Sequence, residues 1–460
     1  MKKVLLSILC WSLTQLGFAI SNLDRIYVDM PCEVARPTLV NIPDAKVSIA
    51  DYGAKGDGVT LCTESIQKAI DELSEKGGGH VIVPEGLWLF TPIQLKSNID
   101  LHLEDNAMMI LSHDKTLFRR EYEWRTRFQP GIWAMNAHDI SITGHGIIEG
   151  NGKYWRPVKR GKQSDTEWKR FKEMGGTLTE DGGQWLPYDL KGHQNVTRKA
   201  EKEECLRADL VSMKNCERVL LEGITVQNSP RFHVHPIYCK DVIICSISVR
   251  CPWNAQNGDG IDLTNCQRAL VIGCTVDVGD DGICLKGRDS DSLFEAYPSR
   301  DILIQDNKVY HAHGGFVLGS NIIGGMENVV VRHCSYSDTD TGLRFKSAID
   351  RGGTTGQVFI YDIMMNNINR EAITFSCDYD NKLLKEKHKT YVPCFQDIHI
   401  SQVYCGECGT GLAAAGIQGY ECVSGIEIHD CRIQCRDKTV SIDGATAVVT
   451  YEDDEFVLCR

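Results

Sequence analysis

Residues 257–289 read NGDGIDLTNCQRALVIGCTVDVGDDGICLKGRD. Aligning NGDGIDL with GDDGICL on their shared Asp-Gly-Ile puts Asp259 opposite Asp281, Ile261 opposite Ile283 and Leu263 opposite Leu285. The same frame recurs in HGGFVLG (Gly315, Phe316, Leu318), TGLRFK (Gly342, Leu343, Phe345) and EAITF (Ala372, Ile373, Phe375). Read as successive parallel strands about 4.8 Å apart, these segments form columns. One column holds Asp259 and Asp281, the next sets Asp280 beside His313, and a third holds Lys286 and, two strands on, Lys346. Three acids, a histidine and several cations then meet on one surface. Strict alternation would send Asp259 and Asp281 inward with Ile261 and Ile283, so Gly260 and Gly282 are expected to bend the chain there.

Outward from this stretch the chain repeats a unit, apolar-x-apolar-x-x-apolar-x-apolar. It is read at Ile140/Ile142/His145/Ile147, Val219/Leu221/Ile224/Val226, Val242/Ile244/Ile247/Val249 and Ala269/Val271/Cys274/Val276. It continues through Ile302, Val329, Val358, Ile398 and Ile426. Short strands at this period cannot bury an apolar face alone, so they specify a solenoid. About three short strands per coil make it a parallel β-helix, all-β in class. Ile66, Ala69, Ile70 and Leu73 carry a helical stripe that ends at Gly77-Gly78-Gly79. Such a helix would cap the open end of the stack.

The expected organisation is a secretory signal peptide over 1–19, a lead-in over 20–44 with no clear pattern, and one β-helix domain over 45–460. The first stretch has two lysines, a short apolar run and Gly17-Phe18-Ala19. Export to the periplasm or the extracellular space is expected, and no later stretch reads as a membrane span. An insertion over about 153–205 breaks the repeat; Trp155, Trp168 and Trp185 in it read either as sugar platforms or as parts of a solvated loop.

The formal charge is −12 and falls to about −14 without Lys2 and Lys3, which argues against nucleic acid as a partner. Nineteen of the 20 cysteines follow the leader. Cys216, Cys239 and Cys266 each fall three residues before a unit, and Cys274, Cys334 and Cys431 share an apolar column, so most are expected as free core thiols. Cys405 and Cys408 lack a second pair with which to build a zinc site.

Three clustered carboxylates repel, so at least one should retain its proton. An acid facing carboxylates is what glycoside hydrolysis needs, to protonate the leaving oxygen and to activate water. Lys286, Arg288, Arg344 and Lys346 beside them suit the carboxylate of a uronic acid. His145, Asp262 and Cys284 read as structural and are left out of the site.

The stretches DYGAKGDGVT, GGGHVIVPEG, NSPRFHVHPIYC, NGDGID, GDDGICLKGRD, HGGFVLGS and GLRFKS together resemble glycoside hydrolase family 28, the polygalacturonase and rhamnogalacturonan hydrolase family. The resemblance implies a right-handed parallel β-helix that hydrolyses α-linked galacturonides with inversion. It implies Asp280 as general acid, Asp259 and Asp281 as the pair that positions and deprotonates water, and His313 as support for the acid. Arg344 and Lys346 would hold the substrate carboxylate, with Lys286, Arg288, Asn257, His235 and Tyr379 as further substrate contacts. Gly258, Ala312 and Phe345 depart from the family pattern. GDDGICLKGRD, HGGFVLGS and the insertion look more like the exo-acting bacterial branch. The expected partner is a pectic glycan, acted on by a monomer without cofactor or metal. Two alternatives stay open: a lyase on a similar solenoid using Ca²⁺, and a non-catalytic glycan-binding β-helix.

Overall fold

The computed structural model describes residues 23–119, 128–187, 207–289, 297–379, 391–452 and 454–459. The leader expected over 1–19 and positions 188–205 of the insertion lie outside them. The described chain winds as a right-handed parallel β-helix with three ladders of strands. The first ladder stacks Val219, Val242, Ala269, Ile302, Val329, Val358, Ile398 and Ile426 in register. The second stacks Val226, Val249, Val276, Val309, Tyr336, Met365 and Cys405. The third stacks Val234, Ile261, Ile283, Phe316, Leu343, Ile373 and Leu412. All these side chains are buried, and each Val, Leu or Ile contributes roughly 1.5–3 kcal/mol relative to exposure. No helix among the described residues is long and apolar enough to cross a membrane.

The expected repeat matches this register except in one unit. Ile140 and Ile142 pair with Val219 and Leu221, but Ile148, not Ile147, pairs with Val226. One extra residue enters the corner, Gly144 takes φ +101°, and His145 is exposed instead of stacked. The helix Thr63–Glu75 buries Ile66, Ala69, Ile70 and Leu73 against the first coils. It ends where Gly78 adopts φ +107° and a Cβ would lie 2.2 Å from the Asn98 carbonyl oxygen.

The lead-in is a strap along the outside of the first ladder. The Thr38 and Asn41 amides donate to Asp241 and Asp139, and Arg332 donates to the carbonyls of Val28 and Ile26. Ile26, Tyr27 and Val34 bury against Ile243, Leu270, Leu303 and Val330. Its polar anchors and its few buried apolar residues follow no strand or helix period.

The tryptophans of the insertion are not platforms. Trp155 is fully buried against Phe118 and Phe128, Trp168 and Trp185 are also buried, and Trp185 packs on Phe171. The insertion folds as the helix Asp165–Glu173, capped by Ser164 and Glu167, beside a small antiparallel sheet. All 18 described cysteines are free, and most are buried stack residues.

Candidate active site

The site lies on the outer face of the third ladder, at the corner that precedes strands Ile261–Thr264 and Asp281–Gly287. A glycine at that corner reverses the parity set by alternation. A Cβ on Gly260 would meet Val276 Cγ1 at 2.5 Å, and one on Gly282 would meet Val309 Cγ1 at 2.5 Å. These positions therefore face the core, as Ile261 and Ile283 do, and the preceding residues, Asp259 and Asp281, are turned the other way. Successive inward positions are possible because neither glycine has a side chain to place.

The columns bring the acids together. The Gly260 amide donates to the Asp281 carbonyl, and the His313 amide to that of Asp280. One oxygen of each of Asp259, Asp280 and Asp281 lies within 4.8 Å of one oxygen of both others. The side chains of Asp259 and Asp281 are 5% and 4% exposed, whereas Asp280 is 17% exposed and is the one open to a ligand.

Each buried acid has its own lysine. Lys286 Nζ donates to Asp259 Oδ2 at 3.1 Å and also to Asp262, and Lys346 Nζ donates to Asp281 Oδ2 at 2.7 Å. Both lysines come from one outward column of the ladder, with Gly319 between them. Arg344 NH1 stands 3.6 Å from Asp281 Oδ1. Tyr379 turns its ring toward Lys346, Arg351 and Arg344, at 5.2, 5.6 and 5.7 Å. Oδ1 of Asp259 and Oδ1 of Asp281 are buried and accept no hydrogen bond from the protein.

These surroundings separate the three acids. Burial, then the neighbouring Asp262, raises Asp259 well above the ordinary carboxylate range, with Lys286 opposing. Burial, the largest effect, would raise Asp281, but Lys346, Lys286 and Arg344 together outweigh it and hold the carboxyl below that range. Burial, the largest effect, would raise Asp280 as well, but His313, whose Nδ1 lies 3.2 Å from Oδ1, outweighs it together with Lys346 and the Asn257 amide, and the carboxyl is held low. The amides of Asn257 and Asp281 also donate to Asp280, at 3.0 and 3.1 Å. These surroundings favour the protonated form of Asp259 and the ionised forms of Asp280 and Asp281.

The remaining expected residues fall around this core. Asn257 reaches the site through its backbone, while its side chain accepts from Arg207 at 2.8 Å. His235 is not available to a ligand: it is fully buried, with Nδ1 2.9 Å from Asp209 and Nε2 3.1 Å from Thr264. Burial pushes its pKa down to about 4. Its place is beneath the cleft wall. Arg288 is half-buried, and its amide donates to Asn265.

Three contributors escaped the sequence reading. Asp262 is fully buried and pairs with Lys286; its parity on the strand was the available signal, since it points outward where Leu263 points in. Asp340 lies 3.7 Å from His313 Nε2, one coil beyond, and sits in the same column. Lys162 comes from the insertion and reaches His313 Nε2 at 3.0 Å, a contact without a periodic signal. The open tryptophan here is Trp253, 55% exposed, on a turn whose backbone packs against Gly279. A cavity of about 390 Å³ extends the site past Arg344, Lys346 and Tyr379 toward Arg370 and Asp378.

Residues 166–451 match the family described as Glycosyl hydrolases family 28, and residues 46–122 match the one described as Rhamnogalacturonase A/epimerase, pectate lyase-like. The exo-poly-alpha-D-galacturonosidase of Dickeya chrysanthemi is 27% identical over 377 residues, 78% of this chain and 61% of that protein. A probable polygalacturonase of Vitis vinifera is 25% identical over 402 residues, covering 83% of this chain and 74% of that one. The crystal structure of a hyperthermoactive exopolygalacturonase from Thermotoga maritima superposes with a TM-score of 0.72 at 30% identity, over 90% of this chain and 94% of that one.

Proposed function

This chain belongs to family 28 of the glycosyl hydrolases, and we propose that it releases galacturonic acid from the ends of α-linked pectic chains with inversion. The observation that carries this reading is the carboxylate triad, with one partly exposed acid and two buried acids that each leave an oxygen without a hydrogen bond from the protein. Asp280, the exposed member, protonates the leaving oxygen. Asp259 and Asp281 hold a water between the two oxygens that accept no protein hydrogen bond, and Asp281, ionised beside Lys346, takes its proton.

The acid must gain a proton, which the free site favours on Asp259 over Asp280. An incoming uronate adds a negative charge and excludes water, and both effects raise Asp280. Within a triad whose oxygens lie this close, the proton belongs to the cluster, not to one residue. Arg344 holds Asp281 by a single 3.6 Å contact, which leaves donors of its planar fork for the substrate carboxylate. Tyr379 lines the same side. His235 acts by fixing Asp209 and Thr264, Lys346 acts mainly by neutralising Asp281, and Lys286 pairs with Asp262 while donating to Asp259.

Exo action is supported by the names of the Dickeya and Thermotoga relatives and by an insertion that abuts the acid through Lys162 and Gly279. The leader-like sequence over 1–19 supports export to the periplasm or beyond. We further infer a monomer that works without a metal.

The lyase reading has one observation in its favour, a triad of acids spaced as for a cation. Lys286 and Lys346 already occupy an oxygen on two of the three, and Ca²⁺ would have to displace them. A digest of polygalacturonate oligosaccharides with chelator present separates these readings. Free galacturonic acid without ultraviolet-absorbing unsaturated product is expected, and Asp280→Asn should lower turnover by about 10²–10⁴-fold with unchanged circular dichroism. An unsaturated product, or an Asp280→Asn enzyme as fast as wild type, contradicts the proposal.

A further inference from the structure

Lys162 ends the short turn Arg160–Lys162 of the insertion and sends its side chain to the coil that carries Asp280. Its Nζ lies 3.0 Å from the Gly279 carbonyl oxygen and 3.0 Å from Nε2 of His313. A carbonyl always accepts, but an imidazole nitrogen accepts only when it carries no proton. An ammonium has three donors and no acceptor, so a neutral His313 making this contact would carry its lone pair on Nε2 and its proton on Nδ1. Nδ1 faces Asp280 Oδ1 at 3.2 Å.

A competitor stands beside the same nitrogen. Asp340 Oδ2 is 3.7 Å from Nε2 and would draw a proton onto it. The charged groups around the ring are thus Asp280 on one side and Lys162 with Asp340 on the other, while Lys159 and Cys251 face Lys162. Burial lowers the pKa of Lys162, and Asp280 and Asp340 oppose that effect.

We propose that Lys162 is a positioning residue: it fixes the Nδ1–H form of His313 against the pull of Asp340, so that the ring donates to Asp280. The inference rests on the assignment of Asp280 as the acid. Without the ammonium, Nε2 can take the proton and turn to Asp340. Asp280 then keeps only the backbone donors Asn257 and Asp281.

The test is the side-chain nitrogen spectrum of ¹⁵N-histidine-labelled protein near neutral pH, with His313 assigned through His313→Gln. Wild type should show the Nδ1–H tautomer, Lys162→Met the Nε2–H tautomer, and Lys162→Arg the wild-type form. Turnover of Lys162→Met should fall about tenfold, with KM within about twofold of wild type, and Lys162→Arg should restore part of the loss. A wild-type ring protonated on Nε2 overturns the proposal without any variant. An unchanged tautomer in Lys162→Met overturns it too, and reduces Lys162 to an anchor of the insertion on Gly279. A fully active Asp280→Asn would instead refute the acid assignment and leave the tautomer result standing.

Discussion

Lys346→Met keeps the buried stem of the side chain and deletes the ammonium 2.7 Å from Asp281 Oδ2. The two side chains are 7% and 4% exposed, so solvent screens the pair little. At an effective dielectric of about 20, unit charges at this separation attract by about 6 kcal/mol before desolvation is subtracted. Removing one partner of a buried pair costs about 3–5 kcal/mol net. Arg344 and Lys286 still act on Asp281, which sets the expectation at the low end. About 3 kcal/mol corresponds to a rise of roughly two units in the Asp281 pKa.

The sign follows from the wild-type state. Asp281 titrates below its ordinary range because Lys346, with Lys286 and Arg344, outweighs burial. Its contribution to stability is therefore full above the unfolded value of about 3.9 and is lost as pH falls through the folded one. Lys346→Met should be about 3 kcal/mol less stable near pH ~7, and the difference should close below about pH 4. Because Asp281 must be ionised to accept a proton from water, the acid limb of kcat/KM should move up by about two units. Urea unfolding across pH and the kcat/KM profile read the two effects, with Lys346→Arg as the charge-retaining control. A variant whose acid limb stays in place and whose stability loss is the same at every pH would refute the pairing as the cause.

Asp241→Ala tests the strap. It removes the acceptor for both 2.7 Å bonds from Arg268 and for the Thr38 amide at 2.9 Å. A stability loss of about 2–3 kcal/mol by urea unfolding is expected, with faster proteolysis near Thr38 and unchanged KM. Asp241 is held low by Arg268 despite burial, so this loss also shrinks in acid. Gly282→Ala tests the corner that turns Asp281 outward. The new methyl, 2.5 Å from Val309 Cγ1, should cost about 1–3 kcal/mol and reduce kcat more than KM in a steady-state assay.

The stack was legible because Val219 and its counterparts recur where each coil needs an inward side chain, and substitutions such as Cys274 preserve apolar character. The acid columns followed from the same register. Their direction did not, since period-two alternation predicts inward carboxylates and the answer lay in what a missing Cβ at Gly260 and Gly282 permits. The unit ending in His145 and Ile147 was read one residue short because one extra corner residue leaves the apolar pattern almost unchanged. Asp262 looked structural because a lone buried acid is read against its strand, not against Lys286 on the next coil. Lys162 meets His313 from 151 positions away. Nothing periodic links them, as the insertion returns to the coil through its own packing.

Inversion is the claim on which the roles of all three acids depend. Inverting enzymes usually separate acid and base by about 6.5–9.5 Å to admit water, whereas here one oxygen of each acid lies within 4.8 Å of the others. The unpartnered oxygens of Asp259 and Asp281 are what would receive that water. Proton NMR of the first product released from a galacturonate oligosaccharide, recorded before the anomers equilibrate, decides the matter. The β-anomer appearing first is the predicted result. The α-anomer appearing first would mean that one of these aspartates attacks the sugar directly.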